Sequence, residues 1–433
     1  KVYTFSLQKG VKWHDGTPFT SADVKASFER IASPPKGMVS PRAGFYKNIA
    51  TIETPDANTV RFNLNKPQGA FLSMAAIPFS PIFPKHILDQ KGDMKREVMG
   101  TGPFVFKEHI RGVQWKFEKN PNYFLKGLPY LDGIVRYVVA DETAIQATLK
   151  TKGVDLLQAR EHRIKGPVRV AMQKAVPELV FQSYTDPILY GVIPNFLKKE
   201  WQDVRVRKAA WLALDAGGIR DIIEPDSPLG GFLTPGSGWE IPWKELEGKP
   251  GFRKPTAEDL AQAKKLLAEA GYPDGFSFKW LVRGIKIYSD LAVLAKDQFS
   301  KIGLKSELDI REDAIFWPRR LSGAWDIMIY GAVSDAMSDP DIIMDRYITG
   351  STQNYGRYSN KKVDELYAKQ SAIADVAERK KLALEIQKIL LEDPVNLPVT
   401  WINDSAIFYP RVKNFYHIGL YNGNRMDDVW LAE

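Results

Sequence analysis

The sequence predicts an α/β protein organised as two lobes, and three observations carry that reading. At 433 residues the chain is longer than one hydrophobic core usually organises. From residue 134 onward strand-like segments alternate with helix-like ones, the rhythm of an α/β layer. A second run, strand at 276–282, helix at 289–302 and strand at 304–310, reads as a βαβ crossover.

Each element has a local cause. Residues 2–7 alternate in hydropathy as a strand does, and the turn at 8–10 leads to a second short strand at 11–13. A chain that opens inside a hairpin predicts partner strands lying upstream, so a further N-terminal portion is expected. Thr20 followed three residues later by Asp23 is a capping box opening a helix through Val24, Phe28 and Ile31. Strands are expected at 49–52 and 59–64, joined by the turn composition of 55–58. Pro78, Pro81 and Pro84 break the apolar segment 70–88 into an irregular wall. Arg111-Gly112 turns a hairpin between 104–106 and 113–117. A strand at 135–139, a helix at 142–150 and a strand from 154 begin the α/β layer, and a strand follows at 180–184. Helices are expected at 203–216 and at 256–270, the latter opened by a T-x-x-D cap and closed by Gly271. Two more, at 361–374 and 376–391, precede a strand region at 397–408.

Composition narrows the function. Hydrophobic residues at 44% and charged residues at 26% exclude a disordered chain. The net charge of +8 arises from Lys and Arg interleaved with acids, as at 361–365 and 378–381, so it predicts a mildly basic solvated surface and no nucleic-acid partner. The absence of cysteine excludes disulfides, thiolate metal sites and cysteine nucleophiles. Histidines at positions 14, 86, 109, 162 and 417 lack H-E-x-x-H spacing, and no G-x-S-x-G elbow or G-x-x-x-x-G-K loop occurs. Asp427 and Asp428, adjacent in sequence, read as a solvated turn rather than an acid/base pair. The expectation is a protein that is not an enzyme and uses no cofactor or metal. No stretch of about 18 apolar residues is present to span a membrane. An export signal is expected to lie outside this sequence or to have been removed.

Read together, the motifs resemble a known family. The stretch YTFSLQKGVKWHDGTPFTSADV at 3–24 is similar to the signature of the family 5 extracytoplasmic solute-binding proteins, the group of dipeptide, oligopeptide, nickel and opine binders. Further segments follow in the family's order: GTGP at 100–103, NPNY at 120–123, LPYLD at 128–132, DVRVRK at 203–208, AKKLLAEAGYPDG at 263–275 and YSN at 358–360 before Val363-Asp364. The resemblance runs from residue 1 to about 430. It implies a two-lobed periplasmic-binding-protein type II fold with an extra subdomain in lobe I. It also implies crossings near 184–190 and 400–406. The expected division is 1–110 for the extra subdomain, 111–186 for the lobe I core, 187–405 for lobe II and 406–433 for a return segment to lobe I.

The resemblance further implies the solute-binding component of an ABC importer, capturing a peptide or a peptide-like or opine-like solute by hinge closure. Delivery would be to a membrane permease, from a periplasmic or extracytoplasmic location with possible membrane anchoring, by a monomer. A ligand-sensing domain of a regulator, or a binder of a sugar derivative or metal chelate, is the alternative. Asp335 matches the aspartate with which peptide-binding relatives hold the ligand's α-ammonium, a charge-assisted bond. Ala332 stands where many of them have Trp. Arg283 lies where dipeptide binders place an arginine for the ligand carboxylate, which a planar fork can grip bidentately. Trp317, Trp401, Asn354 and Tyr355 flank the expected cleft and complete the candidate set.

Overall fold

The computed structural model describes residues 1–40, 42–139, 141–158, 166–333, 339–418 and 425–433. Chain order runs β1 (Val2–Ser6), α1 (Ser21–Ala32), α2 (Ala43–Tyr46), β2 (Ile49–Asp56), β3 (Thr59–Leu64), α3 (Phe71–Ala75) and α4 (Lys85–Lys91). β4 (Phe104–Ile110), β5 (Gln114–Lys119), β6 (Gly133–Tyr137), α5 (Glu142–Lys150), β7 (Leu156–Gln158) and α6 (Gly166–Ala175) follow. Next come β8 (Val180–Pro194), α7 (Lys199–Gln202), α8 (Val204–Ala213), α9 (Ala216–Ile223), α10 (Ala257–Glu269), β9 (Ser277–Arg283), α11 (Lys286–Ser300), β10 (Lys305–Arg311), α12 (Asp313–Ser322) and β11 (Ile327–Val333). The chain ends with α13 (Pro340–Met344), α14 (Lys361–Ser371), α15 (Val376–Glu392), β12 (Leu397–Phe408), β13 (Val412–Lys413) and β14 (Trp430–Leu431). Two compact units result. One comprises Lys1–Pro67, Met74–Tyr184 and Asp404–Glu433; the other comprises Gln68–Ser73 and Thr185–Asn403. The chain passes between them along β8 and along β12, and also before Gln68 and after Ser73.

In the first unit, β1 pairs antiparallel with β3, Val2 opposite Asn63 and Ser6 opposite Thr59, in the order β1-β3-β2. This corrects the hairpin reading: residues 11–13 contribute only an isolated bridge between Lys12 and Pro18, and β1 finds its partner within the chain, 53 or more positions on. The periodicity identified the strand but carried no information on pairing. Val60, Phe62 and Leu64 alternate inward on β3 and meet α1, whose Phe28 packs edge-on to Phe62 at 5.0 Å and to Tyr46 at 5.2 Å. The capping box holds as expected: the Thr20 amide donates to Asp23 Oδ2 at 2.8 Å. Asp23 Oδ1 accepts from the Lys85 amide at 2.7 Å, so the same carboxylate fastens α4. The proline-broken wall contains two short helices, α3 and α4, the second starting after Pro84.

β4, β5 and β6 form a separate antiparallel sheet, turned at Gly112 with φ +75°. β6 therefore does not open the α/β layer as its sequence position suggested. Behind β7, Ile145 and Leu149 of α5 and Met172 of α6 bury against Ile407 and Tyr409.

The largest sheet lies mostly in the second unit, with β7 and the last residues of β12 belonging to the first. β9 and β10 are parallel, in register from Ser277 opposite Lys305 to Arg283 opposite Arg311, with α11 as crossover. β11 joins β9 in parallel and β8 in antiparallel, and the full strand order is β10-β9-β11-β8-β12-β7. Trp201, Trp280 and Phe299 are fully buried, and Trp280 donates from Nε1 to Ser306 Oγ at 2.7 Å. Burial on both faces explains the apolar run of β9. The helix expected at 203–216 stops at Ala213, because Asp215 caps the next helix by accepting from the Gly218 amide at 2.8 Å.

Candidate functional site

The C-terminal ends of β9 and β11, with α12 and the loop 349–358, gather most of the predicted site residues that fall within the described chain. β9 ends on Arg283. Its guanidinium forks onto Asp313 at the start of α12, Nε to Oδ1 and Nη2 to Oδ2 both at 2.6 Å. That bidentate bond holds Arg283 above its ordinary value against the effect of burial and holds the half-exposed Asp313 carboxyl below its own. Arg283 is thus already paired.

One turn along α12 stands Trp317, half-buried, with the Arg283 guanidinium carbon 4.9 Å from its ring centroid. Arg320 follows at i+3 on the same helix face. Its guanidinium carbon lies 3.9 Å from the ring centre of Tyr355, 4.5 Å from Trp317 and 5.0 Å from Tyr330. Tyr330 comes from β11, opposite Gly191 of β8, and packs edge-on to Trp317 at 5.9 Å and to Tyr355 at 6.4 Å. Beneath these rings lie Ile193, Leu281, Phe316, Trp325 and Met328. Tyr288 stacks on Tyr330 at 6.2 Å and meets Tyr190 edge-on at 5.5 Å. Burial, then the neighbouring Tyr190 and Tyr330, raise the Tyr288 hydroxyl well above its usual range. Gly331 makes this layer possible: a Cβ there would come within 2.9 Å of the Tyr190 ring and 3.0 Å of the Tyr288 hydroxyl.

Asn354 is engaged within its own loop. Its side-chain amide donates to the carbonyls of Ile348 at 3.0 Å and Tyr358 at 2.7 Å, and its oxygen accepts from the Tyr358 amide at 3.1 Å. Arg357 fastens that loop to the end of α12, donating to the Leu321 carbonyl at 2.8 Å. Tyr355 is thereby held over Arg320, and its hydroxyl donates to Gln353 Oε1 at 2.7 Å. Trp401 belongs to different surroundings. It is 1% exposed on β12, donates from Nε1 to the Gly231 carbonyl at 3.2 Å, and packs where Gly230 leaves room for its ring. Asp335 lies outside the described residues, as does the side chain of Ala332.

The chain resumes after β11 in a buried ionic frame. Arg379 of α15, 4% exposed, forks onto Asp339 at 2.7 and 3.0 Å and reaches Asp341 Oδ1 at 3.4 Å. Ser371 donates to Asp341 Oδ1 at 2.7 Å, and Gln370 also donates to it. Burial, reinforced by the charge of Asp339 and opposed by Arg379, pushes the Asp341 carboxyl up to about 6. An unfolded aspartate titrates near 3.9. The native state therefore holds this proton more tightly, and its contribution to stability is complete below about pH 4 and lost as pH rises through 6. Between pH 4 and 7 the unfolding free energy of the parent protein should fall by about 2–3 kcal/mol more than that of Asp341→Asn. Denaturant titrations at the two pH values check this; parallel slopes would exclude Asp341 as the source.

Sequence reading missed Arg320, Tyr330, Tyr288 and Asp313. The Trp317/Arg320 spacing on a helix was the available signal. Asp427 also differs from expectation: it is 3% exposed and accepts from Arg425 and Tyr123 rather than lying in a solvated turn. Among the described residues no three His, Cys, Asp or Glu side chains gather as a metal cluster.

Residues 1–355 match the model of the bacterial extracellular solute-binding proteins, family 5. The chain belongs to this family. Among its curated relatives, the glutathione-binding protein GsiB of Salmonella choleraesuis is 27% identical over 92% of this chain and 77% of its own length. The oligopeptide-binding protein AppA of Bacillus subtilis is 27% identical over 100% of this chain and 81% of its own. Among solved structures, the periplasmic binding protein AgaA of A. tumefaciens R10, in complex with agropinic acid, superposes with a TM-score of 0.85 at 27% identity, over all of this chain and 87% of that one. The fold of this family 5 member is accordingly the type II periplasmic-binding-protein fold. Family membership makes it a binding protein rather than a member of an enzyme family.

Proposed function

We propose that this family 5 member is the solute-capturing component of an ABC importer, taking up a peptide or a peptide-like or opine-like solute. Hinge closure holds the solute, and a membrane permease receives it. The observation that carries the reading is the family match over residues 1–355. The names of the relatives, which speak of glutathione, oligopeptides and agropinic acid, support a small peptide-like or opine-like solute bearing a carboxylate. The cation-bearing aromatic surface built from Trp317, Arg320, Tyr330 and Tyr355 suits such a solute, since it combines apolar area with charge. The protein acts outside the cytoplasm as a monomer without a cofactor. Among the described residues no helix is long and apolar enough to cross a membrane. In this reading Asp335 receives the solute's ammonium group, with Arg283, Trp317, Tyr355 and Asn354 around the bound solute.

Calorimetry at low salt with tripeptides, glutathione and agropinic acid tests the proposal, and absence of heat with the whole panel would refute it. For a peptide that binds, Asp335→Ala should weaken the free-amine form at least tenfold more than the N-acetylated form, the scale of a hydrogen bond to a charged group. Equal losses would remove Asp335 from the ammonium role.

A further inference from the structure

Most arginines around the site are spoken for. Arg283 forks onto Asp313, Arg319 donates to Asp309 at 2.5 Å, and Arg357 donates to the carbonyls of Asn354 and Leu321. Arg320 is different. Among the described residues no carboxylate lies within ion-pair distance of it, and its buried Nε has no hydrogen-bond partner. What it has is three aromatic rings, those of Trp317, Tyr330 and Tyr355. Aromatic rings stabilise the face of a guanidinium and leave its in-plane N–H donors unused. A buried donor without an acceptor costs about 1–3 kcal/mol, so the fold maintains this arrangement at some expense. The cage is also built from separate pieces: α12 supplies Trp317 and Arg320, β11 supplies Tyr330, and the loop stapled by Asn354 and Arg357 supplies Tyr355.

We infer that Arg320, held in the cage of Trp317, Tyr330 and Tyr355, is the specificity-determining group that receives the solute's carboxylate. This rests on the solute class proposed above and moves the carboxylate role away from Arg283, whose charge Asp313 already neutralises. One planar cation with free edge donors matches one planar carboxylate, and two parallel N–H···O bonds would form on Arg320 as they do between Arg283 and Asp313. The surrounding rings exclude water and strengthen that pairing.

Two measurements test the inference. In side-chain ¹⁵N–¹H spectra of arginine-labelled protein, titration with acetate at constant ionic strength should shift the Arg320 Nε–H resonance saturably, while acetamide should not. The resonance is assigned by its loss in Arg320→Lys. A response to acetate no larger than that of exposed arginines such as Arg425, or an equal response to acetamide, overturns the inference. This titration needs no knowledge of the solute, so it stands even if the peptide and opine panel fails. For a panel peptide that binds, Arg320→Gln should abolish the preference for the free C-terminal acid over the amide, expected to be at least tenfold in the parent, and Arg320→Lys should restore part of it. Retention of the full preference in Arg320→Gln, or equal weakening of acid and amide, also overturns it.

Discussion

Arg379→Ala is expected to destabilise the second unit by about 3–5 kcal/mol, the range for removing one partner of a buried ion pair. The guanidinium is almost inaccessible, forks onto Asp339, touches Asp341, bonds Gln370 and stacks near Trp239. Alanine would leave two carboxylates facing one another in a buried setting. The sign of the pH dependence follows. Removing the cation takes away the interaction that lowers the Asp341 pKa, so the penalty should be largest above pH 6 and smaller in acid, where Asp341 is protonated. Thermal unfolding followed by tryptophan fluorescence should show a midpoint lower by roughly 10 °C at pH 7.5. A shift below about 3 °C would mean that Asp339 and Asp341 find other partners at little cost.

Trp401→Ala should cost a comparable amount, about 3–5 kcal/mol, by cavity formation at a large and fully buried side chain. Trp401→Phe keeps most of the volume and loses the bond to the Gly231 carbonyl, so it should cost about 1 kcal/mol. Solute affinity separates packing from recognition. If Trp401 acts through packing around Gly230 and Gly231, Trp401→Phe should leave affinity within about twofold at a temperature where both proteins are folded. A loss beyond tenfold in a stable Trp401→Phe protein would instead assign the indole to the solute. The two outcomes are read from the same preparation.

Legibility from sequence followed range. Thr20 with Asp23 and Thr256 with Asp259 foretold the starts of α1 and α10, because a capping box is complete within four residues. The parallel pair β9 and β10 was readable because strand, helix and strand follow one another directly. β1 was assigned the wrong neighbour, since its hydrogen bonds go to β3 across two intervening helices and a strand. The end of α8 was missed because the Asp215 carboxylate serves the following helix. At the candidate site, sequence could nominate Arg283 as a cation but could not see that Asp313, 30 positions later, neutralises it. Arg320 escaped notice for the converse reason: its environment assembles from a helix, a strand and a loop.

The brief pairing of β7 with β12 also orders events in time. Leu156, Leu157 and Gln158 meet Phe408, Ile407 and Ala406, and Ile145, Leu149 and Met172 close over Ile407 and Tyr409. During synthesis from the N-terminus, the apolar faces of α5 and α6 must wait while more than 200 further residues emerge. All of the second unit precedes residue 404. The half of the molecule begun first is therefore the half finished last, and its open hydrophobic face is the vulnerable surface of the nascent chain.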